Sequence, residues 1–198
     1  MSELPDLLAE LEVEWNRLGL DVDQSLAPGI PTEVARAELA VISSDPCEEA
    51  VEWFAWHNGP SAAPIEIGPS GFDFLSIKQS VAERSSRRHI AADAAADMDD
   101  PGFPTTAWWR DSWLPIGRIG GAAVLAIDLA TDAVSAPAYN VDWQDLIASG
   151  RPAAASLAEV VKLWLTVLRG DYYRWIDGHW QYDFAAVPAA YRASRLVG

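Results

Sequence analysis

The hydrophobic period of this 198-residue chain changes partway along it, and that change bounds the folds open to it. In the N-terminal half, apolar residues recur at spacings of three and four, the pattern of helices that bury one face. Leu4, Leu7, Leu8, Leu11, Trp15 and Leu18 form one such stripe over residues 2–19, flanked by Glu10, Glu14 and Arg17 and stopped by Gly19. In the second half, apolar residues come in short unbroken runs divided by glycine. Trp113–Ile116 and Ala122–Leu129 lie on either side of Gly117-Arg118-Ile119-Gly120-Gly121, which reads as strand, glycine turn, strand. Helices first and strands second predict an α+β fold, with a helical N-terminal half packed on a twisted, mostly antiparallel sheet.

The remaining elements follow from local signals. Pro31-Thr32 opens a second helix running to about Ile42. On its wheel Glu38 falls between Val34 and Ile42 and points inward, so loop amides or an arginine must satisfy it and it reads as a structural tether. Asp45-Pro46-Cys47-Glu48 starts a third helix, which Asn58-Gly59 ends. Residues 60–72 read as loop, a fourth helix runs from about Ser76 into the Arg87 region, and Asp93–Thr106 reads as an acidic loop. Val134–Val141 is a third strand that Pro137 keeps at an edge. Ser156-Leu157-Ala158-Glu159 is a capping box opening a helix to Leu168, ended by Gly170, whose wide apolar arc predicts burial against the sheet. Asp177-Gly178 between Tyr173–Ile176 and His179–Tyr182 is a strong hairpin signal. No repeat is visible, so one domain is expected over residues 1–198, with an amphipathic helix over 1–20 and a hairpin over 171–184.

Half of the residues are apolar and 22% are charged, the balance of a globular chain. A single cysteine, Cys47, excludes an internal disulfide and a cysteine-based zinc site. No apolar run approaches the ~18 residues of a membrane span, and the opening MSELPDLLAE has no positive region, which predicts a cytosolic protein. The net charge is −15, and it is unevenly placed: residues 1–100 hold 20 acids against 6 bases, residues 101–198 hold 9 against 8. Such a field repels nucleic acid and anionic lipid and attracts basic partners.

Recognisable chemistry is sparse. There is no Gly-Lys-Ser or Gly-Lys-Thr, the glycines at 117, 120 and 121 do not fit a dinucleotide fingerprint, and Gly68-Pro69-Ser70-Gly71 reads as a turn. Cys47 and His57 on one helix would stand about 15 Å apart, too far for a dyad. Cys47 reads as a small residue on the buried face. His57, His89 and His179 lack metal-ligand spacing, and Asp93, Asp97, Asp99 and Asp100 lack the alternating pattern of a calcium loop. Arg84, Arg87 and Arg88 read as complements to a helix C-terminus and nearby acids. These readings predict a non-catalytic chain without cofactor or metal.

The aromatics offer a binding candidate. On the third helix Cys47, Ala50, Val51 and Phe54 share the inward face, while Trp56 projects opposite, near Glu49 and Glu52, with Trp53 at the edge. A tryptophan ringed by carboxylates suits a hot spot for a basic partner. The competing reading folds the loop after Gly59 back over Trp56. Trp108, Trp109, Trp113, Tyr172, Tyr173, Trp175, Trp180 and Tyr182 suggest a sugar-binding groove, although core and hairpin packing accounts for most of them.

Taken in order, Leu26-Ala27-Pro28-Gly29, a helix carrying Glu38, and Glu52-Trp53-Phe54-Ala55-Trp56-His57-Asn58-Gly59 resemble the SUKH superfamily. So do Trp108-Trp109, then Trp113-Leu114-Pro115-Ile116-Gly117, two glycines, a strand ending in Asp128-Leu129, and the late Ser156–Glu159 helix start. The resemblance covers about residues 26–168. That superfamily takes in fungal regulators of cell-wall assembly and many bacterial immunity proteins. The resemblance implies helices packed around a twisted sheet and a non-catalytic binding role, commonly the neutralisation of a nuclease or deaminase toxin in the cytosol. It also implies that Glu38, Asn58, Gly59, Trp113, Pro115, Gly117 and Asp128 define the fold or line a pocket. The toxin-binding surface varies within such a family and does not carry over. The expectation is therefore an immunity protein for a basic toxin domain, with a regulatory scaffold for a host protein as runner-up and a carbohydrate-binding module third.

Overall fold

The computed structural model describes residues 2–67, 69, 71–97, 109–119, 122–130, 134–142, 152–177, 179–183, 185–192 and 196. Helix α1 (Leu4–Arg17) buries Leu4, Leu8, Leu11 and Trp15, as its stripe requires. A short helix α2 (Val22–Ser25), capped by the Asp21 carboxylate, leads into strand β1 (Leu26–Pro28). Helices α3 (Thr32–Leu39) and α4 (Glu48–Trp56) follow, and then strand β2 (His57–Pro60), antiparallel to β1. α3 stops at Leu39 rather than Ile42. α4 starts after an extended Cys47, with no side-chain cap, rather than at Asp45.

Asn58 and Gly59 do not end α4; they lie in β2 and seat the next helix. The Asn58 Oδ1 accepts the N–H of Ile77 at 2.9 Å, satisfying one orphan donor at the start of α5 (Ile77–Ala96). Gly59 has φ +82°, and a Cβ there would lie 2.6 Å from the Ser76 nitrogen. Ser76 and Gln79 form a full capping box. α5 extends well past Arg87, so Asp93 is helical and Asp97 caps the end. The rest of the expected acidic loop, including Asp99 and Asp100, lies outside the described residues, as does Trp108.

β3 (Glu66–Ile67) forms within the stretch expected to be loop, and β4 (Phe72–Phe74) starts at its last residue. With β5 (Trp113–Ile119), β6 (Ala123–Asp128) and β7 (Ala138–Asp142) they make a five-stranded sheet in the order β3-β4-β5-β6-β7, antiparallel at every pairing. The sheet therefore begins before α5, and α5 is inserted between two neighbouring strands. Gly117 is not in a turn. It lies within β5, paired with Phe74 on one side and Leu125 on the other. Pro115 is tolerated in this central strand because the ladder shifts register between Pro115 and Gly117, where a missing N–H costs least. β7 takes the edge, as Pro137 requires.

Both sheet faces are covered, which is why every residue of β6 is buried and its sequence reads as an unbroken apolar run. Leu114, Ile116, Leu125 and Ile127 enter the main core with residues of α1, α4 and α6 (Leu157–Arg169). On the other face Trp113, Val124, Ala126, Tyr139 and Val141 join Trp109 and Ala91 of α5. α6 ends at Gly170 as expected, but its capping is half a box: Ser156 accepts the Glu159 N–H, while the Glu159 carboxylate takes the Ala155 N–H. The apolar side of α6 joins the core that holds the sheet, and it lies alongside α1. The hairpin forms as read, with β8 (Tyr173–Ile176) antiparallel to β9 (His179–Tyr182) and Tyr173/Tyr182 and Trp175/Trp180 as facing ring pairs. A last turn of helix, α7, spans Ala189–Arg192. The architecture is α+β, with helices mostly N-terminal and strands mostly C-terminal.

Candidate partner-binding surface

The wheel of α4 is right about its inward face: Cys47, Ala50, Val51 and Phe54 are all buried. It is wrong about the acidic aromatic patch. Trp53 has no exposed surface and Glu49 is 3% exposed, so neither touches a partner in the folded chain. Trp53 packs against Trp56, Phe74 and Trp164, with ring centroids 5.4, 5.3 and 6.5 Å apart. α1, α3 and α6 all pack against α4, and Trp53 also reaches Phe74 of β4, so these positions are covered.

Glu49 performs the task expected of Glu38. Its carboxylate accepts three backbone N–H groups, from Ala136 at 2.7 Å, Leu157 at 2.9 Å and Ala158 at 3.2 Å. Leu157 and Ala158 open α6, so the carboxylate caps that helix and lies at the positive end of its dipole. The Glu49 N–H in turn donates to the Val134 carbonyl. Glu38 is exposed, because α3 turns Ala35 and Leu39 inward and leaves Val34 outside, while Ile42, past the helix end, packs against the core.

Trp56 and Glu52 are half-buried. Trp56 is covered by α1 rather than by the loop after Gly59: its ring lies 5.6 Å from Trp15 and its indole N–H donates to the Glu12 carboxylate. The same Glu12 oxygen is 3.2 Å from His57 Nε2, while His57 Nδ1 is 2.9 Å from the Ala27 carbonyl. Both ring nitrogens thus face oxygen atoms of the protein. The spacing of α1 and α4 in sequence gave no hint of this Glu12–Trp56–His57 junction. Burial pushes the Glu52 carboxyl above the usual carboxylate value, an effect the hydrogen bond from Ser2 only partly offsets.

Trp113 and Asp128 stand directly opposite each other in the β5/β6 ladder. Arg110 joins them, with its guanidinium 5.2 Å from the Trp113 ring and 5.5 Å from the Tyr139 ring, and Nη1 3.8 Å from Asp128. Asp128 is 4% exposed and also accepts the Ala130 N–H, which explains how a carboxylate survives there. Arg110 was missed because it precedes the strand and shows no periodicity.

Burial raises the Cys47 thiol to about 11, as a small core residue requires. Arg84, Arg87 and Arg88 lie in the middle of α5 and not at its C-terminus. Arg87 pairs with Glu83, which also holds Arg118 of β5, and Arg84 and Arg88 reach the Asp111 carbonyl and carboxylate. Among the described residues no group of three or more His, Cys, Asp or Glu side chains is placed to hold a metal ion. No described helix is long and apolar enough to cross a membrane. The aromatics proposed to line one groove are divided: Trp109 and Trp113 lie on the α5 side of the sheet, whereas Tyr173 and Trp180 belong to the main core.

The acids fall into two sets. Along the α1–α6 seam Glu3 meets Lys162, and Glu10 and Glu14 meet Arg169 at 2.6 and 3.3 Å. Arg17 bridges Glu14 and Asp171. By contrast Asp6, Asp23, Glu33, Glu38 and Asp45 have no cationic partner among the described residues. No protein-family model matches the chain, and no curated protein matches it.

Proposed function

We propose that the chain is a non-catalytic, cytosolic protein-binding domain of immunity type, which binds a basic toxin domain and blocks it. The charge layout carries this reading. The chain is −15 overall, most of its described bases are held by internal ion pairs, and the acids without a cationic partner include a group between Asp6 and Asp45 in the strongly acidic N-terminal half. A field of that sign speeds encounter with a cationic domain, such as a nuclease with a basic substrate groove. The resemblance to the SUKH superfamily over residues 26–168 supplies the class of partner, and the deeply buried, high-pKa Cys47 offers no nucleophile.

The test is affinity capture with the tagged full chain from host lysate at low and high salt, read by mass spectrometry. A stoichiometric basic toxin domain, retained at low salt and released at high salt, is the expected result. A housekeeping regulator bound independently of salt favours the scaffold reading and overturns this one.

A further inference from the structure

We infer that the outward face of α3 is the docking surface, and that its occupant is a cationic segment presenting an aliphatic residue between Lys or Arg side chains. The inference rests on the reading that the chain binds a basic domain, and it names where. Among the described residues α3 packs chiefly against α4, with Ala35 and Leu39 turned inward. Its other side exposes Glu33, Val34, Ala37 and Glu38, and Val41 follows one turn on.

Val34 is 42% exposed and Val41 is 74% exposed. Val34 and Ala37 on α3, with Val41 in the turn just past its end, leave apolar surface exposed beside the two acids. Two features give the sign of the partner. Glu33 and Glu38 meet no cation among the described residues, whereas the acids of α1 that face α6 are neutralised there. Arg36, the one base of α3, is turned away into a two-pronged contact with Glu48 at 2.8 and 2.9 Å. The face therefore presents acids and valines with no base, and a Lys- or Arg-flanked aliphatic residue complements it.

Two arms test this. In the first, the full chain labelled with nitrogen-15 is titrated with a synthetic helical peptide carrying leucines at i, i+3 and i+7 flanked by lysines. Shifts concentrated on residues 33–41 are expected. In E33K/E38K the affinity should fall at least tenfold, and in Val41→Ser it should fall by a similar factor with little change in salt dependence. Shifts centred on α1 or on residues 21–23, or unchanged affinity in E33K/E38K, overturn the assignment. Dimerisation of the wild-type chain that Val41→Ser abolishes puts a second copy on this face and also overturns it. All substitutions are at exposed positions, and thermal melts confirm the fold.

In the second arm, wild type and E33K/E38K serve as parallel baits. Recovery of the same basic domain by both contradicts the surface while leaving the functional reading intact. If wild type recovers no basic domain, the functional reading fails, and the peptide arm alone decides the surface.

Discussion

The Glu49 carboxylate accepts the backbone N–H of Leu157 at 2.9 Å, joining two helices whose partners lie 108 residues apart in sequence. With Ala136 and Ala158 on the same carboxylate, one side chain ties the segment before β7 to the start of α6. Glu49→Ala strands three buried donors, each costing about 1–3 kcal/mol, so a loss of at least about 3 kcal/mol is expected. Glu49→Gln, which keeps one carbonyl acceptor, should lose about half of that. Urea unfolding midpoints at neutral pH measure both, and a cost under about 1 kcal/mol for the alanine variant contradicts the tether.

Glu52 works in the opposite sense. Its folded-state pKa lies above the ordinary carboxylate value, chiefly through desolvation. The folded state therefore holds its proton more tightly than the unfolded chain, and this group lowers stability as pH rises through the window from the ordinary value to the raised one. Glu52→Gln should raise the melting temperature at pH 7, and the gain should shrink as pH falls through that window. A gain that grows on acidification contradicts the assignment.

Trp56 is expected to matter to stability. Trp56→Phe keeps most of the ring contacts with Trp15, Trp53 and Phe74 but removes the donor to Glu12. A loss of about 1–2 kcal/mol follows from one charge-assisted bond and a smaller ring. Glu12→Gln should reproduce part of it, and the two losses should be non-additive in a double-mutant cycle. Additive losses contradict the junction.

Cys47 should be inert. With its thiol buried and raised to about 11, a maleimide at pH 7.5 is expected to label the native chain only as fast as it unfolds. Complete labelling within minutes under native conditions contradicts the burial.

The parts of this fold that sequence showed are those governed by local signals. The α1 stripe, the inward face of α4, the limits of α6 and the β8/β9 hairpin depend on neighbours within one or two turns of chain. What it missed depends on contacts from afar. α3 is only eight residues long, so a wheel with few apolar positions had two near-equal orientations, and the packing of Ala35 and Leu39 on α4 decided against the one that buried Glu38. Glu49 reads as a surface acid because its three donors come from segments 87 to 109 residues away. β3 and β4 are two and three residues long, too short to show alternation. Gly117 reads as a turn because no local pattern separates a glycine in a turn from one at a bulge between two strands. For the candidate site, the charge asymmetry of the sequence is what suggests a basic partner. It did not show which acids are neutralised, since that depends on Lys162 and Arg169 meeting α1 across the fold.

The central claim is neutralisation of a basic toxin, and a growth assay measures it most directly. An immunity gene normally lies beside its toxin gene, so the neighbouring product is expressed in a heterologous bacterium with and without this chain. The account predicts growth arrest by the neighbour alone and restored growth when the full chain is co-expressed, with a weaker rescue by E33K/E38K. A neighbour that arrests growth equally with and without the chain contradicts it.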